Sequence, residues 1–186
     1  MSRFILGKKL GMTTLYGVNK EAQNVTLIEC GARVAMVRNC ERDGYVAVQF
    51  EIDKTKKKKT RRECKVENSE FKKGDIVGVE IFQIGDIVQV SGIAKAKGFQ
   101  GVVKRHGFKG SPKTHGHKHD LRAPGAIGAG FPEHVVKGKR MAGRMGGTRS
   151  TSKNLKIVHI DREKNILGVK GSVPGVVGRI VEIHNK

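Results

Sequence analysis

Residues 92–149 most constrain how this chain can fold, because they lack the apolar side chains that a core requires. They contain 13 of the 25 glycines and 13 lysines or arginines, but only two acids, Asp120 and Glu133. Their apolar residues are few and scattered, so burial cannot offset the conformational entropy that is lost when such a chain becomes ordered. We therefore expect this stretch to be disordered alone and ordered by a partner.

Short runs rich in valine and isoleucine lie on both sides of that stretch and predict β-strands. No segment has the sustained 3.6-residue period of a long amphipathic helix, and several short strands at this spacing favour a small closed β-barrel. The predicted strands are residues 24–29, 32–38, 45–50, 76–82, 86–91, 155–160, 166–170 and 179–184. The predicted fold is mainly β, with residues 1–93 and 151–186 in a globular β-barrel domain. Residues 94–150 form a long, basic, glycine-rich irregular extension.

A second basic segment interrupts the predicted strands at residues 54–65, which include four consecutive lysines and the pair Arg61 and Arg62. We interpret it as a solvated loop within a basic inter-strand insertion at residues 54–73. A short helix within residues 60–71 remains open. So does the alternative that these charges are merely solvated and contact no partner.

The charge balance points to a polyanionic partner. The chain has 37 lysines and arginines against 17 acids, a net charge of +20. Such a charge repels itself unless a polyanion neutralises it, and nucleic acid gains affinity from each cation because condensed counterions are released. A membrane is not an expected partner, because no apolar run approaches the roughly 20 residues needed to span a bilayer.

The N-terminal residues and the cysteines indicate a cytoplasmic protein. The apolar run from Phe4 to Leu6 is too short for the hydrophobic region of a signal peptide. The three cysteines include no C-x-x-C pair, so neither a disulfide framework nor a zinc ribbon is expected. Reduced thiols in a cytosolic compartment fit this pattern.

Three histidines, His115, His117 and His119, invite a metal or acid-base interpretation. Lys113 and Lys118 argue against it because they repel a cation, and the neighbouring glycines leave the loop too mobile for a closed set of ligands. We expect no metal here. A histidine-dependent nuclease or metal hydrolase remains the enzymatic alternative.

Other catalytic patterns are also weak. Ser111 and Ser150 lie in a basic stretch without the rigid support that an activated nucleophile needs. The Gly7-Lys8-Lys9 sequence lacks the glycine spacing of a phosphate-binding loop. We expect no enzyme activity, no cofactor and no small-molecule substrate.

Glycines and cations alternate through the extension in a way that suits passage between RNA helices. Glycine allows the backbone to approach packed surfaces, while lysine and arginine neutralise phosphates and arginine can also stack on a base. Histidines and Phe108 could stack on unpaired bases. The predicted RNA contacts are Lys8, Lys9, Lys95, Lys97, Lys104, Arg105, His106, Lys109, Lys113, His115, His119, Arg122, Lys137, Lys139, Arg140, Arg144 and Arg149.

No compact DNA-reading motif is present: the sequence has no helix-turn-helix period, zinc-finger spacing or basic region joined to heptads. Composition alone leaves folded RNA and nonspecific duplex binding open. Folded RNA is favoured, because an embedded extension requires a partner with tertiary crevices.

Five motifs in chain order carry a family resemblance. They are GKKLGMT at residues 7–13, GFQGVVKR at 98–105, RAPGAIG at 122–128, KGKRMAGRMG at 137–146 and VKGSVPG at 169–175. In these motifs the chain resembles the L-three family of large-subunit ribosomal proteins. The resemblance implies a translation-protein-type β-barrel on the outside of the large subunit, with an extension that runs inward toward the peptidyl transferase region.

The resemblance also implies partners and a role. Members of the L-three family bind large-subunit ribosomal RNA, act early in subunit assembly and contact neighbouring ribosomal proteins. They perform no peptide-bond chemistry. By motif, residues 97–105 and 137–149 would line the base and return path of the extension, and residues 122–134 would lie toward its tip. The implied location is the ribosome, in a bacterial-type cytoplasm or an organelle. A free RNA or DNA chaperone outside the ribosome is the alternative.

At two places this sequence departs from the family pattern, and there the family's features are not carried over to this chain. Ala129 follows Gly128 where many bacterial members have a glutamine that is methylated in some, so that modification is not expected here. Residues 50–76 are also shorter and richer in lysine than the usual insertion. The fold and protein neighbours of that region are therefore left open.

Overall fold

The computed structural model describes residues 3–17, 21–55, 58–66 and 71–185. The chain divides into two compact units: unit 1 comprises Met1–Ala94 and Arg149–Lys186, and unit 2 comprises Lys95–Thr148. The described strands are β1 (Phe4–Tyr16), β2 (Ala22–Cys30), β3 (Ala32–Arg38), β4 (Ala47–Thr55), β5 (Lys58–Lys65), β6 (Ile76–Val77), β7 (Ile87–Ile93), β8 (Gly98–Gln100), β9 (Gly143–Met145), β10 (Arg149–Asp161), β11 (Ile166–Lys170) and β12 (Ile180–Asn185). The helices are α1 (Cys40–Asp43) and α2 (Val102–His106), with a 3₁₀ helix at Val79–Ile81. The fold is mainly β, as predicted.

Six strands of unit 1 pair in the cyclic order β1, β12, β7, β10, β11 and β2, with β2 returning to pair with β1. Every neighbouring pair in this ring is antiparallel. The ring joins strands from both ends of the chain, since β1 pairs with β12 in a register that places Phe4 opposite His184. Residues before and after unit 2 therefore share one sheet system.

The core lies within this ring and between it and a second sheet. Phe4, Ile5 and Leu6 on β1 are all buried, although successive side chains of a strand point to opposite faces. Both faces of this first part of β1 are therefore covered. On one face the Phe4 ring packs 5.2 Å from the ring of Phe50, which belongs to β4 of the second sheet.

The second sheet has the strand order β5, β4, β3 and β6. Its edge strand β5 corrects the prediction that residues 54–65 form a solvated loop, and the described part of residues 60–71 contains no helix. Lys56, Lys57 and residues 67–70 lie outside the described residues. The lysine-rich segment forms a strand because β4 offers it an acidic partner: Glu51 accepts hydrogen bonds from Lys59 and Arg61, each 2.7 Å long.

The predicted strand at residues 76–82 is only partly correct. Ile76 and Val77 pair with β3, but the chain then turns into the 3₁₀ helix. Val79 and Phe82 are both buried, and their spacing of three residues fits the three-residue period of a 3₁₀ turn. Burial of these two side chains explains the change from strand to helix.

Unit 2, all of whose residues are described, contains little regular structure. It has the two-stranded pair of β8 and β9 and the five-residue helix α2, and turns and extended segments account for the rest. Val102 is its one buried side chain. The expectation that this segment cannot build a core of its own agrees with this burial, while its disorder in the absence of a partner stays a prediction.

Candidate nucleic-acid interface

The two ends of unit 2 are joined by backbone contacts. β8 and β9 pair in a register that places Phe99 opposite Arg144, and the Lys97 N–H donates to the Met145 carbonyl at 2.9 Å. Gly146 has a φ of +71°, and a Cβ at that position would lie 2.0 Å from the Lys95 carbonyl oxygen. Only glycine permits this close approach, so the outgoing and returning segments of unit 2 are fixed side by side.

Helix α2 is connected to the returning segment by two of the predicted RNA contacts. Arg105 donates from its guanidinium to the Met141 carbonyl at 2.5 Å, and a ring nitrogen of His106 lies 3.2 Å from the same oxygen. A Cβ on Gly143 would lie 2.9 Å from the Arg105 guanidinium. Arg105 and His106 therefore help to hold unit 2 together, in addition to any contact with a partner.

Farther along unit 2, a close turn accompanies a cavity. The Ser111 N–H donates to the Leu121 carbonyl at 3.2 Å. The cavity, about 630 Å³, has Phe108, Lys109, His117 and Asp120 among its lining residues. His115 and His119, both predicted RNA contacts, are exposed. His117 lines the cavity; it belongs to the 115–119 loop that was predicted to stack on bases, but it is not among the predicted RNA contacts.

The other predicted contacts of unit 2 share one property: their side chains are exposed. They are Lys95, Lys97, Lys104, Lys109, Lys113, His115, His119, Arg122, Lys137, Lys139, Arg140 and Arg144. All residues of unit 2 are described, and none of its lysines or arginines forms an ion pair. These cations remain available to an anionic partner.

In unit 1, by contrast, carboxylates form ion pairs with several of the lysines and arginines. Glu51 bridges Lys59 and Arg61, and these two hydrogen bonds hold the pKa of its carboxyl below the ordinary value. Glu63 accepts hydrogen bonds from Tyr45 and Arg38, which likewise lower its pKa. The unpaired positive charge of unit 2 is therefore not a general property of this basic chain.

Lys8 and Lys9 were both predicted RNA contacts, but they differ in the structure. Lys8 is half-buried on β1, whereas Lys9 is only 7% exposed. The Lys9 ammonium donates to the carbonyls of Val173 at 2.7 Å and Gly175 at 3.2 Å. A surface role for Lys9 does not fit this geometry, so Lys9 does not belong to the candidate interface. Arg149, the last predicted contact, is exposed at the start of β10 in unit 1.

The described residues contain no group of three or more histidine, cysteine, aspartate or glutamate side chains that could hold a metal ion. They also contain no helix that is long and apolar enough to cross a membrane.

Among the cysteines, Cys30 is buried, and that burial raises the pKa of its thiol to about 12, which disfavours the reactive thiolate.

Comparison with known proteins gives one consistent family. The family model described as Ribosomal protein L3 matches residues 8–166. The large ribosomal subunit protein uL3 of Chloroherpeton thalassium is 44% identical over 201 aligned residues, which cover 96% of this chain and 97% of that protein. The proteins of the same name from Roseiflexus sp. (strain RS-1) and Geobacillus sp. (strain WCH70) are 45% and 41% identical. These alignments cover 97% and 94% of this chain, and 95% and 92% of the respective relatives.

Proposed function

The chain belongs to the ribosomal protein L3 family, which is a structural and not an enzymatic family, and from this premise we propose how it serves the ribosome. It is a structural constituent of the large ribosomal subunit. Its role there is to bind large-subunit ribosomal RNA through unit 2 and to hold RNA segments together during assembly. Its location is the ribosome, in a bacterial-type cytoplasm.

The unpaired positive charge of unit 2 carries this proposal. Residues 95–148 have twelve lysines and arginines against two acids, and none of these cations has a carboxylate partner within the unit, all of which is described. Phosphates would supply the missing negative charge and release counterions in return. A single buried side chain, Val102, also leaves most of the surface of unit 2 free for a partner to cover.

The finer features belong to the same proposal. The cyclic pairing of six strands supports our proposal of a closed barrel of the translation-protein type. In this proposal the barrel anchors the protein on RNA and contacts neighbouring ribosomal proteins. Residues 94–150 act as an extension that penetrates the RNA toward the peptidyl transferase region. Early binding during subunit assembly follows from this arrangement, because RNA folded in advance would exclude such an extension.

The salt dependence of RNA binding tests the proposal. We would compare the full chain with a variant in which Lys137, Lys139, Arg140 and Arg144 are changed to Gln, using protein-free large-subunit RNA. If all four contact phosphates, the slope of log K against log salt should fall by roughly 3, since each contact contributes about 0.7 to 0.9.

A matched control removes the same charge from unit 1. Lys72, Lys73, Lys153 and Lys156 are exposed and form no ion pair among the described residues, so their change to Gln gives an equal net charge. The control should lose much less of the slope. Equal losses in both variants would show that unit 2 has no special role and would contradict the proposal.

A further inference from the structure

Four basic side chains from separate segments of unit 1 surround one cavity of about 450 Å³. Lys54 lies at the end of β4, Arg62 on β5, Arg149 at the start of β10, and Arg179 just before β12. Lys54 and Arg62 lie on neighbouring paired strands within the segment that was predicted as a solvated loop. Arg149 and Arg179 are far from them in the sequence. The strand pairing of unit 1 brings them together.

Glu182 orients two of these cations. Its carboxylate accepts a hydrogen bond from Arg62 Nε at 2.7 Å and another from an Arg149 terminal nitrogen at 2.5 Å. The Glu182 side chain is only 13% exposed, whereas Arg62 and Arg149 are 49% and 60% exposed. Glu182 therefore orients both guanidinium groups through hydrogen bonds from the buried side, and the rest of each group stays exposed to solvent.

The charge around this cavity is not balanced. Among the described residues that line it, Glu182 is the one acid against four cations, so these side chains have a net positive charge. A guanidinium has five N–H donors, so one bond to Glu182 leaves most of them unused. Arg62 gives one more to the Arg61 carbonyl at 3.0 Å. The remaining donors suit an oxyanion with several acceptor oxygens, such as a phosphate.

The rim of the cavity is apolar and held in place. Val176 and Val177 also line it, and they are 43% and 67% exposed. Lys9 secures their loop through the two carbonyl contacts described above and through a backbone bond in which the Gly178 N–H donates to the Lys9 carbonyl at 2.7 Å. Exposed apolar side chains beside fixed cations offer a base an apolar surface to pack on next to a phosphate site.

We propose that this cavity is a second RNA site, which binds one nucleotide of large-subunit ribosomal RNA. Arg62 and Arg149, which Glu182 orients, bind the phosphate of this nucleotide together with Arg179. The base of the nucleotide packs over Val176 and Val177. The inference rests on the proposed function and adds to it a specific site on unit 1. An acidic segment of a neighbouring protein is the competing occupant, which the experiment distinguishes.

The change Glu182→Gln separates an oriented site from a merely basic surface. It adds one positive charge to the net charge of the chain, so a diffuse basic surface would bind RNA more tightly. An oriented site would bind more weakly, because Gln has an amide NH2 donor in place of one of the two carboxylate oxygens that accept from Arg62 and Arg149. We expect about a fivefold to tenfold loss of affinity for protein-free large-subunit RNA at 0.1 M salt, comparable to the loss of one phosphate contact.

Glu51→Gln is the matched control. Glu51 also bridges two basic side chains of unit 1, Lys59 and Arg61, but it does not line this cavity. Its change to Gln makes the same difference to net charge and should leave RNA affinity unchanged or slightly higher. Thermal unfolding of both variants would be measured, so that affinity is compared only between folded proteins.

A second variant keeps the test valid if Glu182→Gln fails to fold. Arg149→Gln leaves Glu182 paired with Arg62, and it should reduce the salt slope by about 0.7 to 0.9. An unchanged slope in Arg149→Gln, or tighter binding by a folded Glu182→Gln variant, would overturn the proposal.

Photocrosslinking separates failure of this site from failure of the proposed function. The full chain would be bound to large-subunit RNA that contains 4-thiouridine, irradiated and digested, and the crosslinked peptides would be identified. Crosslinks to residues 54–62 or 176–182 support the site. Crosslinks confined to residues 95–148 would overturn the site but leave the proposed function intact, and the absence of specific RNA binding would overturn both.

Discussion

The ammonium nitrogen of Lys9 lies 2.7 Å from the carbonyl oxygen of Val173, 164 residues away in the sequence. The contact joins the first strand of the chain to the loop that precedes the last one. Lys9 is thus a structural lysine within a chain whose other cations are mostly exposed.

Replacement of Lys9 should cost stability. Lys9→Met leaves the carbonyls of Val173 and Gly175 without their charged donor, and hydrogen bonds to charged groups contribute about 1.5 to 3 kcal/mol. We expect a loss of roughly that size in the free energy of unfolding, measured by urea denaturation. Lys8→Met, at the neighbouring position, should cost much less. Equal losses would show that the buried contact contributes nothing.

Gly7 is predicted to tolerate no side chain. A Cβ there would lie 2.5 Å from Ile28 Cγ2 and 3.1 Å from the Glu29 carbonyl oxygen, inside the pairing of β1 with β2. Gly7→Ala should therefore lower the free energy of unfolding by about 1 to 3 kcal/mol, as overpacked cores do. Gly11→Ala, on the same strand with no atom within 4 Å of its Cβ, is the control and should change stability little. A stable Gly7→Ala variant would refute the close packing.

Gly146 should matter for unit 2 and not for unit 1. An alanine there would need a strained φ of +71° and would collide with the Lys95 carbonyl oxygen. Gly146→Ala should speed hydrogen exchange within residues 95–148 and weaken RNA binding roughly tenfold, equivalent to about 1.4 kcal/mol. Gly130→Ala, whose Cβ would meet no atom within 4 Å, should have neither effect. Unchanged exchange in Gly146→Ala would contradict the structural role of this glycine.

His184 should make unit 1 less stable in mild acid. Burial lowers the pKa of its imidazole below the ordinary value of 6.5, and its ring packs 4.5 Å from the ring of Phe4. The unfolded chain therefore binds a proton more readily than the folded one, so stability decreases as pH falls below about 6.5 toward the folded pKa. Urea denaturation between pH 5 and pH 7 should show a smaller pH dependence for His184→Gln than for the unchanged chain. His159→Gln, at an exposed position, should retain the full dependence; a flattened profile in this control would point to another cause.

The sequence predicted those strands that have uninterrupted apolar patterns. Strands β2, β3 and β11 lie at the predicted positions, and β7 and β12 begin one residue later than expected. β1 was missed because glycines and lysines break its pattern from Gly7 onward. Its continuity depends on features of the folded chain, since Gly7 is required by contact with β2 and Lys9 is satisfied by distant carbonyls.

Of the two candidate sites, one could be predicted from the sequence and the other could not. The unpaired charge of unit 2 was visible in its composition, because a segment with only two acids cannot neutralise twelve cations internally. The cavity around Glu182 was not visible, because the hydrogen bond from Arg62 joins residues 120 positions apart. Local pattern contains no information about which distant carboxylate a cation will meet.

Cosedimentation tests the central claim most directly. A gentle cell extract would be washed at high salt and separated on a sucrose gradient, and this protein would be quantified against large-subunit RNA in each fraction. The predicted result is a ratio near one protein per large-subunit RNA that survives the wash, because many phosphate contacts release together only when the RNA unfolds. Loss of the protein into the soluble fractions would contradict a core structural role and would favour a peripheral chaperone.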